Sequence, residues 1–180
     1  APYSLKMACG ENPKRVYGRR RSAPSTRMGN VAGYRESWIK ARAYQAKLDA
    51  AAESGEGVPD RDLEMETLAG VLRGEILIHN HCYRADEMLI MLDIAREFDY
   101  KITAFHHATE AYKIADVLAE EGVCGALWAD WWGFKMESND AIEENIALME
   151  QAGACAIVHS DSARDIQRLN QEAAKALMAA

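Results

Sequence analysis

The chain carries five histidines, His79, His81, His106, His107 and His159, and Asp161 stands two residues beyond the last of them. Every one of the five follows a short apolar run, and none falls in a helical pattern or in the basic front of the chain. Imidazole nitrogen and carboxylate oxygen together suit a borderline divalent ion such as zinc, with a position left open for water. A bound ion lowers the pKa of that water toward neutrality, and a nearby carboxylate can carry the proton. On residue types alone the chemistry is metal-assisted hydrolysis. A single histidine is more often a hydrogen-bonded core or surface residue, but five in corresponding positions ask for a shared explanation.

The elements that must position them follow from the pattern. Ser4–Cys9 reads as a strand closed by Gly10, and residues 10–28 read as a loop. A helix is predicted from about Asn30 to Ala52, with Tyr34, Trp38, Ala41 and Leu48 on one stripe, then a loop at Ser54–Asp60 and a second helix at Leu63–Leu72. Four strand–helix units come next. Ile76–Ile78, Lys101–Phe105, Val123–Trp128 and Cys155–Val158 are the strands, with helices from about Arg84 to Phe98, Thr109 to Glu121, Asn139 to Gln151 and Ala163 to Met178. Short, continuously apolar strands alternating with helices predict an α/β fold with a parallel sheet. In such folds sites are built at the C-terminal ends of strands, where all five histidines fall.

Composition narrows the class. The 180 residues are 49% hydrophobic with a formal charge of −7, which excludes disorder and argues against a general nucleic-acid binder. No apolar run is long enough for a membrane span. The charge is uneven: +8 over residues 1–50 and −15 over the remainder. Arg19-Arg20-Arg21 reads as a solvated stretch, and the Gly10–Arg15 segment lacks a phosphate-loop pattern. Four cysteines without a CxxC spacing predict buried free thiols, a reducing compartment and so a cytoplasmic location. The chain begins at Ala1 before a strand and stops at Ala180 within a helical pattern, which predicts a piece of a longer protein.

His81 followed by Arg84-Ala85-Asp86-Glu87 resembles the fifth-strand motif of metal-dependent amidohydrolases, in their imidazolonepropionase-like and prolidase-like branch. Phe105-His106-His107-Ala108-Thr109-Glu110-Ala111-Tyr112 is similar to the sixth-strand motif, and His159-Ser160-Asp161-Ser162 to the eighth. The resemblance implies a partial TIM-type (β/α)8 barrel covering strands four to eight across residues 1–180. In that frame residues 1–74 hold strand four, the basic loop and a helical segment, and residues 75–180 hold four βα units. It implies His81 and His107 as metal ligands and Asp161 as both ligand and catalytic proton shuttle. Lys6 falls where two-metal members supply a carboxylated lysine, with Glu11 or Asn12 as alternatives in the following loop. The family's first-strand His-x-His pair has no counterpart: His79-Asn80-His81 has the form but sits on the fifth strand.

The implied cofactor is one or two divalent ions, zinc first. The implied reaction is hydrolysis of a C–N bond in a small amide, cyclic amide or peptide-like substrate. His79, His106 and His159 are expected beside the ligands, and Trp131, with Trp128 and Trp132, in a pocket wall. Two alternatives stand beside this reading: a non-catalytic metal-binding α/β domain and an unrelated open α/β sheet. Five units cannot close a barrel, so the chain is expected to be incomplete and inactive alone. Its exposed sheet edges predict a homo-oligomer or pairing with the missing barrel segment.

Overall fold

The computed structural model describes residues 2–180. Strands β1 (Tyr3–Ala8), β2 (Ile76–Cys82), β3 (Ile102–His107), β4 (Cys124–Leu127) and β5 (Ala156–Val158) form one parallel sheet in the order β1-β2-β3-β4-β5. Spatial order that follows chain order is the winding of an α/β barrel, whereas a doubly wound sheet reverses at a switch point. Crossovers of one hand then place the helices on one face. The fold is α/β with five consecutive strands of TIM-type winding, and the unrelated open doubly wound sheet does not form.

Register sorts the two faces. Lys6 pairs with His79 and Ala8 with His81 between β1 and β2. After an irregularity at Ile78/His79, His79 pairs with Ala104 and His81 with His106. On the helix side Ile78, Phe105 and Leu127 are fully buried, in one core with Met88, Met91 and Ile94 of α4 (Ala85–Phe98) and Leu118 of α5 (Ala115–Glu121). Each such side chain contributes roughly 1.5–3 kcal/mol by leaving water. On the other face Ser4, Lys6 and Ile157 are exposed, and His79 and His106 are half-buried.

The helix α2 (Arg27–Ser54) starts at Thr26, whose hydroxyl accepts the Gly29 N–H at 2.9 Å, and ends at Gly55 in the left-handed region. Its stripe buries Trp38 and Ala41, and Trp38 packs on Tyr100 with ring centroids 4.4 Å apart. The helix α3 (Leu63–Leu72) matches its expected bounds, capped by the Asp62 carboxylate on two N–H groups. Among the described residues, no helix is long and apolar enough to cross a membrane.

Three expectations need correction. A helix α1 (Glu11–Arg19) forms where a loop is predicted. Pro13 lies in its first turn, where a missing N–H costs nothing. Second, the helices after β3, β4 and β5 begin late. A 3₁₀ turn at Ala111–Ile114 precedes α5, and α6 spans only Asn145–Gln151. A second 3₁₀ turn at Ile166–Arg168 precedes α7 (Leu169–Ala179). The residues between strand and helix are spent on the strand-end site instead. Third, the cysteines are not free thiols: Cys9 pairs with Cys82 and Cys124 with Cys155, at Cα separations of 5.2 and 4.4 Å. Partners 73 and 31 residues apart are invisible to a spacing rule, but the parallel sheet sets their strands side by side. The argument from thiols to a reducing compartment falls with them.

Candidate active site at the strand ends

His81 and His107 sit at the ends of β2 and β3, both buried, and their rings meet edge to face with centroids 4.5 Å apart. Strand alternation alone would turn His107 away from His81. The backbone solves this with a left-handed step: φ is +73° at His107 and +32° at Ala108. A non-glycine residue there costs about 1 kcal/mol or more, and such strain is held where a site needs it. The Ala108 N–H donates to the Cys82 carbonyl at 3.0 Å, which fastens the turned segment to β2.

His159 follows β5, anchored by its N–H to the Leu127 carbonyl at 2.9 Å. Its Nε2 lies 3.1 Å from His107 Nδ1. On the other side of the His107 ring, Asp161 Oδ2 is 3.9 Å from Nε2, with the carboxylate facing solvent. His79 and His106 form a separate pair, Nδ1 to Nε2 at 2.9 Å, on the open face beside Lys6. The five histidines thus fall into two groups. His81, His107 and His159 gather with Asp161, while Lys6 stands in register with His79 rather than against His81. The side chain that does touch His81 is Asn12, whose Nδ2 is 3.1 Å from Nε2.

Burial sets the protonation. Desolvation, reinforced by the Lys135 and Lys6 ammonium groups, takes His81 down to about 3. Desolvation and the neighbouring imidazoles take His107 to about 2, and burial with Lys6 takes His106 to about 4. His159 is lowered by burial, with Asp161 opposing. Lys6, exposed overall, is lowered by partial desolvation, again against Asp161. The imidazoles are therefore neutral at pH 7, which is the form that binds metal.

An aromatic wall closes one side. Tyr83 stacks on His107 at 5.3 Å and Trp128 on His159 at 5.6 Å. Trp131 packs on Trp128 at 4.6 Å, and Phe134 stacks on Trp131 at 5.2 Å. Trp128 and Trp131 line a cavity of about 200 Å³ with His159, Ser160, Arg168 and Lys175. Sequence reasoning missed Tyr83 and Phe134. Tyr83 had a signal in its i+2 spacing from His81; Phe134 had none beyond its tryptophan neighbours.

The donor types fit a divalent ion: two neutral imidazoles in ring contact and a carboxylate within 4 Å of one of them. Among the described residues, no three His, Cys, Asp or Glu side chains are already arranged to hold one.

No family model matches the chain. It is 34% identical over 184 residues to Amidohydrolase tasK of Hapsidospora irregularis, covering 95% of this chain and 19% of that protein. A crystal structure of an amidohydrolase from Thermotoga maritima MSB8 superposes with a TM-score of 0.87 at 37% identity, over 98% of this chain and 45% of that one. Nearly the whole chain is thus similar to a stretch of an amidohydrolase, and it spans about a fifth and under half of these two relatives' lengths.

Proposed function

We propose that this chain carries the strand-end chemistry of a metal-dependent amidohydrolase of the imidazolonepropionase-like and prolidase-like kind. The reaction is hydrolysis of a C–N bond in a small amide, cyclic amide or peptide-like substrate. The observation that carries this reading is the contact of His81 with His107, both neutral, beside Asp161, in a chain similar to amidohydrolases over nearly all its length.

His81, His107 and Asp161 would hold the ion, zinc by its donors. Once bound it would supply Lewis acidity at the scissile carbonyl and a water easier to ionise. Asp161, at the solvent side of His107, takes the proton of the attacking water and returns it to the leaving nitrogen. His159 holds the far nitrogen of His107 and so orients that ring. The aromatic wall of Tyr83, Trp128 and Trp131 excludes water and meets the apolar part of the substrate.

The exposed open face and the unpaired edges of β1 and β5 fit a second copy or further βα units. A second reading, a metal-binding domain without turnover, draws on the same His81–His107 contact and Asp161. On either reading the 180 residues alone turn over little. The deciding experiment is metal analysis of this chain with turnover of an amide and dipeptide panel by the full-length protein, run beside light scattering. Stoichiometric metal with hydrolysis supports the first reading, and metal without hydrolysis the second. No metal removes both.

A further inference from the structure

The Nε2 nitrogen of His81 is already engaged. Asn12, in the first turn of α1, sets its carboxamide nitrogen 3.1 Å from His81 Nε2 and its carboxamide oxygen 3.2 Å from the Lys135 ammonium. A lysine ammonium only donates, so the end of the amide facing it must be the oxygen. The NH₂ end then faces the imidazole, and Nε2 must accept. An imidazole that accepts at Nε2 carries its one proton on Nδ1.

Lys135 is itself held. It lies 2.8 Å from Glu137 Oε1 and 3.9 Å over the centre of the Tyr83 ring. Glu137, 3% exposed, accepts the Glu11 N–H at 2.7 Å. Gly10 makes room for that approach: its φ is +76°, and a Cβ there would stand 2.6 Å from Glu137 Oε2. The segment after β4 therefore reaches across the strand ends to the segment after β1 and leaves Asn12 one orientation.

We propose that Asn12 is a positioning residue for His81, set by Lys135, and that the pair fixes His81 as its Nδ1–H tautomer and covers the Nε2 lone pair. This rests on the reading of His81 as a site residue. The Nε2 lone pair becomes available to an ion only when Asn12 swings away from it, so loading the site and releasing the Lys135–Asn12 contact are one event.

The test is two-bond ¹H–¹⁵N correlation of histidine-labelled, metal-free protein at pH 7.5, with His81→Gln to assign the ring. Wild type should show His81 protonated at Nδ1. Asn12→Asp presents oxygen to both neighbours and should switch His81 to Nε2–H. Asn12→Ala and Lys135→Met should each give a mixture. An Nε2–H ring in wild type, or one unchanged tautomer in all three variants, overturns the inference. With zinc alone as the probe, Asn12→Ala should bind about 3- to 10-fold more tightly than wild type, the worth of one hydrogen bond. Weaker binding overturns the covering role. If His81→Ala binds zinc as well as wild type, the ligand reading of His81 fails, and the tautomer spectra still decide the role of Asn12.

Discussion

The two histidine groups share one sheet and differ in burial and in the side chains that back them. His81 and His107 are buried at strand ends, in ring contact, and backed by Tyr83, Trp128 and His159. His79 and His106 pair with each other on the open face beside Lys6, half-exposed. The residue type is the same, and the difference is one of register and backbone. A left-handed step at His107 carries that ring into the first group, while plain alternation leaves His106 in the second. Placement decides which imidazoles are desolvated enough to be poised, and a histidine count does not.

Substitutions in either group put this contrast to the test. On the proposed function, the largest effect belongs to Asp161→Asn in the full-length protein, expected to lower turnover by about 10²–10⁴-fold through loss of the proton acceptor. Near-normal steady-state rates would remove Asp161 from the role. Next, His107→Ala should weaken zinc binding by more than about 100-fold, whereas His106→Ala should change it less than about 10-fold. Calorimetric titration of both variants measures the difference, and equal effects would merge the two groups into one site.

A smaller effect is on stability against pH. Folding holds His81 near 3 and His107 near 2, below the ordinary 6.5, so the unfolded chain binds protons that the folded chain refuses. Stability is then fully present above about pH 6.5 and drains away as pH falls from there toward 3. Urea titrations of metal-free protein between pH 7 and 4 should show this, and His81→Ala should flatten the slope. An unchanged slope would mean that burial of His81 is incomplete. The smallest expected effect is His79→Ala on the urea midpoint at pH 7, since among the described residues its ring hydrogen-bonds to His106 alone.

Much of this was legible in the residues. The alternation of apolar runs and helical stripes placed every strand, and the helix at Leu63–Leu72 was read to the residue. The histidines were expected at the C-terminal strand ends, and His81, His107 and His159 lie there. What could not be read depends on partners distant in sequence. The Cys9–Cys82 pair and the Glu137–Glu11 contact join residues 73 and 126 positions apart, and no local spacing encodes either. The helix at Glu11–Arg19 was hidden by Pro13 and by the Gly and Arg content around it, which a loop shares. The left-handed backbone at His107 was unreadable for another reason: non-glycine residues seldom adopt it, and nothing local singled out His107 or Ala108 for it.

The two disulfides also change what it means to cut this chain. Cys9–Cys82 encloses α1, α2, α3 and the exposed segment 55–62, and Cys124–Cys155 encloses α6. Drawn as a graph of covalent bonds, the molecule is two closed rings joined by an open stretch that contains β3. A single nick at 55–62 opens one ring without separating any atoms, so the clipped protein would still migrate as one species until a reductant is added. A nick between Tyr83 and Val123 has no such bypass and releases two pieces. β1 and β5 lie in the tails outside the rings, and the middle strand, which carries His106 and His107, is the one strand between the rings, so a cut there parts one ring from the other.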